Sequence, residues 1–249
     1  MFKRIVFPCL IGLLISTSSA YADIWSAVDD FPTVTSSTSP YNGAWAYGYA
    51  STLNPVNFTP DATATPDYFG DGKAAGFYTA TTGPYSGNVS YNLPTVLKNI
   101  SGGNLNESSI NSWPTDVLLM HPGPNADYSV VQFTAPSTAT YQVTGYFTAL
   151  DIQTYGVTND SVSLTSGGSS TLLYSATSRT NPQNTFNFDL SLTAGQSLDF
   201  AVGLGPGNQF YNDSTGFAAT ITTPEPGAYG VLVLGLGGLL AAVRRRKKA

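Results

Sequence analysis

The sequence predicts an all-β fold, an antiparallel, jelly-roll-like β-sandwich flanked by an N-terminal signal peptide and one C-terminal transmembrane helix. Two observations carry the prediction. Charged residues make up only 10% of the 249-residue chain, whereas Gly (25), Pro (16), Tyr (15) and Phe (13) are abundant. That profile excludes coiled coils and helical bundles, and it has too many aromatic and β-branched residues for a disordered chain. In the second half of the body (residues 23–222) apolar side chains recur at every second position, the period of a half-buried strand, and no segment of the body carries a long apolar stripe at helical spacing.

At the N-terminus, Lys3 and Arg4 precede an apolar run from Ile5 to Ile15, and Ala20-Tyr21-Ala22 supplies a small-x-small exit. Residues 1–22 are therefore expected to be a signal peptide, cut at Ala20 and Ala22 by signal peptidase to leave Asp23 first. A short buried helix has no reason to carry both the basic head and that exit. Cys9, the one cysteine, lies inside the apolar run. The mature chain is then left without a disulfide, a thiolate nucleophile or a cysteine metal site.

The body, residues 23–222, is expected to be one domain with long loops in its first half. There, Gly43 to Ser51 (Trp45, Tyr47 and Tyr49 on one face) and Gly76 to Ala80 are expected strands within Pro-rich polar sequence. Residues 98–128 are loop-rich around one apolar run, Val117 to Met120. The second half alternates throughout. Tyr141, Val143, Phe147 and Ala149 face one way, as do Phe186, Phe188, Leu190 and Leu192, and then Leu198, Phe200, Val202 and Leu204. Val131 with Phe133, Val162 with Leu164, and Phe217 with Ala219 and Ile221 add further strands. Short strands punctuated by Gly, Asn, Ser and Pro indicate a sandwich or jelly roll. The stretch Ser129-Val-Val-Gln-Phe-Thr-Ala-Pro136 through Thr140-Tyr141, with Leu192-Thr193-Ala194-Gly195-Gln196 and Asp199-Phe200 later, resembles carbohydrate-binding-module-like jelly rolls of secreted bacterial proteins. It spans roughly half of the body and implies a fold, from which function does not follow.

The C-terminal segment, residues 223–249, has its own logic. Gly227 to Val243 is an uncharged, mainly apolar run of about 26 Å as a helix, at the short end of what crosses a bilayer. Arg244, Arg245, Arg246, Lys247 and Lys248 follow at once, a basic cluster that stays on the cytoplasmic side and sets an N-out, C-in orientation. A surface helix would need a polar face, and none exists between Val231 and Val243. Upstream stand Pro224, Glu225 and Pro226, whose prolines keep the adjoining chain extended. Pro-Glu-Pro, a Gly-rich apolar helix and a terminal Arg cluster, in that order, resemble the PEP-CTERM sorting signal of Gram-negative bacteria. The resemblance implies an inner-membrane-anchored precursor, recognition by a transpeptidase-like exosortase, and a body placed at the cell surface or in an exopolysaccharide-rich matrix.

Charge narrows the partners. The body holds Lys73, Lys98 and Arg179 against fourteen acids, a net of −11, which repels phosphate backbones and excludes nucleic acid. Candidate glycan contacts are Trp25, Trp45, Trp113, Tyr155 and Tyr211, flat side chains with an apolar body and a wet edge. Trp45 and Trp113 fit equally well in a core. No catalytic residue is assigned: His121 stands alone in Met120-His121-Pro122-Gly123 and reads as a turn residue, and most carboxylates sit beside turn residues, as in Asp71-Gly72 and Asn159-Asp160. No cofactor is expected beyond a candidate structural Ca²⁺, for which Asp151, Asp160 and Asp213 are the acids to examine. The expected function is a non-catalytic exported surface or matrix protein associating with exopolysaccharide or envelope. A structural or adhesive protein without a glycan ligand is the alternative, and a polysaccharide-active enzyme the less favoured one.

Overall fold

Nineteen strands and no helix make up the described part of the computed structural model, which comprises residues 22–82, 90–107, 110–151, 157–179 and 183–223. The first half holds β1 (Ile24–Ser26), β2 (Tyr41–Asn42), β3 (Trp45–Ala50), β4 (Thr59–Pro60), β5 (Thr63–Thr65), β6 (Ala74–Tyr78), β7 (Thr81–Thr82), β8 (Ser90–Tyr91) and β9 (Thr95–Asn99). Then come β10 (Leu105–Glu107), β11 (Ile110–Trp113), β12 (Leu118–His121), β13 (Tyr128–Thr134) and β14 (Ala139–Ala149). Last are β15 (Thr158–Ser166), β16 (Ser169–Ser178), β17 (Asn184–Leu192), β18 (Ser197–Leu204) and β19 (Thr215–Thr222).

All pairings are antiparallel, and they build two sheets. The first runs β17-β14-β19-β12-β9-β6-β5, with β1 also on β19; the second runs β16-β15-β18-β13-β3-β2, with β4 also on β3. From β12 onward the chain changes sheet at nearly every connection, the exception being the β15–β16 hairpin. Its turn, Gly167-Gly168, has φ of 57° and 80°, a conformation glycine adopts without steric cost. Two ribbons, β7–β8 and β10–β11, complete the architecture. The signal peptide and transmembrane helix of the sequence reading lie outside the described residues. Among the described residues no helix is long and apolar enough to cross a membrane.

The alternation seen in the sequence becomes the core. Tyr141, Val143, Phe147, Phe217 and Ile221 from the first sheet meet Val131, Phe133, Leu198, Phe200 and Val202 from the second, all buried. Gly145, opposite Phe186 in the β14–β17 register, leaves room for that ring, because a Cβ there would stand 2.5 Å from it. β3 is buried on both faces. Tyr47 points into the sandwich, while Ala50 packs outside with Val56, Val130 and Ala201 under the segment that precedes β4. Residues 98–128, expected to be loop-rich, hold the β10–β11 ribbon and β12. The ribbon lays Leu105, Ile110 and Trp113 over the outer face of the first sheet against Leu97, Leu119 and Leu150.

One acid is held within this frame. Asp61 is 4% exposed, accepts a hydrogen bond from the Thr79 hydroxyl at 3.0 Å, and is pushed up to about 7 by burial. A raised folded-state pKa gives stability that is full below the ordinary carboxylate range and is lost as pH rises through about 7. Thermal unfolding followed by circular dichroism should give a lower Tm at pH 8 than at pH 5. Asp61→Asn should remove that part of the difference, on the order of 2 kcal/mol.

Candidate functional site

A cleft of about 380 Å³ opens on the outer face of the first sheet, beside the apolar cluster under the β10–β11 ribbon. Its floor is two cross-strand pairs, Thr95 with His121 and Leu97 with Leu119, set by the β9–β12 register. Period-two geometry explains the choice: Val96, Leu118 and Met120 point into the sandwich, and their neighbours point out. Tyr68, Phe69, Tyr91, Asn92 and Leu93 form one wall, and Glu107, Ile110 and Ser214 line it elsewhere.

The aromatic wall is preorganised. Asp67 Oδ1 accepts the N–H groups of Gly70, Asp71 and Gly72 at 2.8, 2.9 and 2.9 Å, which ties the loop carrying Phe69 into one conformation. The Tyr68 hydroxyl donates to the Asn92 carbonyl at 2.7 Å, and its ring meets Phe69 edge-on at 5.1 Å. On the other side, Tyr91 packs edge-on against Phe210 at 5.0 Å, and Phe210 is covered at 4.2 Å by Tyr211, 47% exposed. Phe69, 37% exposed, is the other open ring.

His121 is the last residue of β12 and faces the cleft, so the turn reading of the sequence is corrected. Its Nδ1 donates to the Pro122 carbonyl at 2.8 Å; a carbonyl only accepts, which fixes the proton on Nδ1 and leaves Nε2 an acceptor. Burial lowers its pKa, against the opposing pulls of the Pro122 carbonyl and then of Asp151, and so favours the neutral ring. Glu107 lies 3.9 Å from Lys73, whose ammonium also pairs with Asp71 at 2.7 Å.

The structure separates the aromatics proposed from sequence. Trp45 and Trp113 are 1% and 0% exposed, so both are core and unavailable to a ligand. Trp45 bonds Asp30 through Nε1 and packs on Phe133, and Trp113 donates to the Val117 carbonyl under the ribbon. Trp25 is half-buried on β1, its ring 5.5 Å from Phe133 and 5.7 Å from Tyr141, away from the cleft lining. Tyr211 sits at the cleft rim through Phe210 and Tyr91, and Tyr155 lies outside the described residues. Tyr68, Phe69 and Tyr91 were missed. Their signal was aromatic residues amid turn-forming sequence, Thr65-Pro66-Asp67 before Tyr68-Phe69 and Gly70-Asp71-Gly72 after.

Behind Ser214 lies a buried polar network. Asp151 Oδ2 accepts the Ser214 N–H at 2.6 Å. The Thr215 hydroxyl meets Thr158 at 2.9 Å, Thr158 donates to Asp160 Oδ1 at 3.0 Å, and Ser178 donates to Asp160 Oδ2. The Asn159-Asp160 pair is therefore strand, with Asp160 facing inward, not a capped turn. Asp213, beside this network, is 1% exposed. Burial raises Asp160 to about 7 and, with the charges of Asp151 and Asp160, Asp213 to about 8. Among the described residues no three His, Cys, Asp or Glu side chains form a group that by itself holds a metal ion.

Residues 222–247 match the PEP-CTERM protein-sorting motif. The chain carries a PEP-CTERM sorting signal. That signal marks an exported protein, made as a membrane-anchored precursor and recognised for exosortase processing. Pro224, Glu225, Pro226 and the cluster Arg244 to Lys248 fall in or beside the matched stretch and outside the described residues. No curated protein matches the chain. Among solved structures the chain is similar to murine APRIL, at 12% identity over 44% of this chain and 88% of that one, with a TM-score of 0.28. It is also similar to the Podospora anserina GH26-CBM35 β-(1,4)-mannanase (14% identity, 51% and 26% coverage, TM-score 0.29). The carbohydrate-binding module CBM36, in complex with calcium and xylotriose, is a third (14% identity, 49% and 92% coverage, TM-score 0.24). Overlaps this partial carry no argument about what the body binds.

Proposed function

We propose that this PEP-CTERM protein is a non-catalytic surface or matrix protein whose cleft binds a neutral extracellular polysaccharide. The observation that carries the reading is the wall of Tyr68, Phe69 and Tyr91 beside hydrogen-bonding groups on Asn92, Glu107 and His121. Sugar rings present apolar faces and hydroxyl edges, and an aromatic wall with a few fixed polar groups matches both. Among the described residues one carboxylate, Glu107, lines the cleft, whereas most glycosidases work with a pair, which supports binding over hydrolysis. The net −11 of the body favours a neutral polymer over an anionic one. Signal peptidase at Ala20 and Ala22 and exosortase at Pro224-Glu225-Pro226 are the partners during export.

Affinity electrophoresis of the full-length protein through gels containing the host's exopolysaccharide or soluble neutral glucans and mannans tests the reading. Retardation is expected, and Phe69→Ala should weaken it about fivefold to tenfold, the worth of roughly 1 kcal/mol of ring contact. Free migration in every polysaccharide would remove the binding half. The adhesive alternative rests on β16, a ten-residue edge strand with Leu172 60% exposed. It predicts cell-surface adhesion that Phe69→Ala leaves unchanged.

A further inference from the structure

We infer that Asp213, together with Asp151, binds a hard divalent cation, Ca²⁺ by preference, at the end of the sandwich where β14, β15 and β19 meet. Asp213 is 1% exposed, and neither of its carboxylate oxygens accepts a hydrogen bond. A buried carboxylate in that condition has lost its hydration and gained nothing in return, which folded proteins rarely tolerate. The neighbours deepen the problem. Asp151 is 5% exposed and holds the N–H of Ser214, the residue next to Asp213; Asp160 is 1% exposed and reaches the same segment through Thr158 and Thr215. Burial first, and then the like charges of both carboxylates, push the Asp213 pKa up. The two ion pairs formed among the described residues both belong to Lys73, so no Lys or Arg there neutralises Asp213.

A proton or a cation must therefore balance this charge, and the donor types favour an oxygen-seeking ion. Carboxylates with hydroxyl and backbone carbonyl oxygens are the ligands Ca²⁺ takes, six to eight in a flexible shell. Mg²⁺ keeps its waters and suits a buried, irregular pocket poorly, and Zn²⁺ favours nitrogen and sulfur. Among the described residues no third carboxylate or imidazole completes a metal group. The ion accordingly takes Asp213 and Asp151 as its charged ligands and neutral oxygens for the remainder. The inference is independent of the glycan reading: either can fail without the other.

The full-length protein, stripped with EDTA and held at pH 7.5, is titrated with Ca²⁺ or Mg²⁺ by calorimetry, with thermal unfolding measured in parallel. Expected are saturable binding of one Ca²⁺, a Tm that rises with its concentration, and a response to Mg²⁺ at least about tenfold weaker. Asp213→Asn should lose the Ca²⁺ response yet unfold in EDTA no earlier than the parent, because it removes an uncompensated buried charge. Asp151→Asn should weaken binding, and Asp189→Asn, on the exposed face of β17, should not change it. No saturable Ca²⁺ binding by the parent would overturn the inference and leave protons as the neutralising agent. Parental binding by Asp213→Asn would overturn it as well.

Discussion

Phe200→Ala is expected to destabilise the body by about 4 kcal/mol, the range for removing a fully buried ring from a core that cannot collapse around the space. Phe200 is 0% exposed on β18 in the second sheet, and its ring stands 5.0 Å from Phe217 and 5.8 Å from Phe186, both in the first. Trp45, on its own sheet, lies 6.3 Å away. The ring is therefore a tie between the layers, and alanine removes contacts on both sides at once. Rigid ladders hold the neighbours: β18 is paired to β13 and β15, and β19 to β12 and β14. They cannot move in to refill the gap. Urea unfolding should show a lower midpoint with an unchanged slope. Leu172→Ala, at an exposed position of edge strand β16, should shift stability by less than about 0.5 kcal/mol.

Replacing Pro224, Glu225 and Pro226 together by alanine should abolish processing of the sorting signal, lowering the surface-exposed protein by tenfold or more (roughly 1.4 kcal/mol or greater if read as a loss of recognition). The physical basis is access. Prolines lack the N–H that a helix needs and bias the preceding residue to an extended conformation, so the proposal is that they keep the segment before the apolar run open to an enzyme. Alanine, the best helix former, would let a helix expected in the apolar run extend through it. In the topology proposed from the sequence, the five cations from Arg244 to Lys248 would keep the tail on the cytoplasmic side in the variant as well. The variant should accumulate in the inner membrane with its tail attached, as a tail-directed antibody on fractionated cells would reveal. Equal surface amounts of variant and parent would show that the motif is not the substrate of processing.

Much of the sandwich was legible because strands with one wet face write their burial into the sequence. β14 and β17 alternate cleanly, with Tyr141, Val143, Phe147, Phe186 and Leu192 buried and Gln142, Asn187 and Asp189 out. β16 was missed. A bulge at Leu173, skipped between the pairs Val162–Tyr174 and Ser163–Leu172, shifts the register, and Leu172 stands exposed, so the alternation is broken. β9 was hidden differently: it packs on both faces, Val96 in the sandwich and Leu97 under the ribbon, and so shows no period. The cleft was the least legible part. Tyr68, Tyr91, Glu107, His121 and Ser214 lie far apart in sequence and meet only through strand pairing. Residue type gave Trp45, Trp113 and Tyr211 equal claims as ligand contacts, and only the fold shows that the first two are walled in. Asp151, Asp160 and Asp213 were legible as acids but not as a buried group, because Asn159-Asp160 and Asn212-Asp213 have the composition of turns.

The central claim is that this chain leaves the cytoplasm and is trimmed at its sorting signal before the sandwich acts. Mass spectrometry of both termini of the protein isolated from its native host tests it most directly. A mature chain beginning at Asp23 and ending at or near Pro226 is the predicted result; intact Met1 and Ala249 on protein recovered from the cytosol would contradict it.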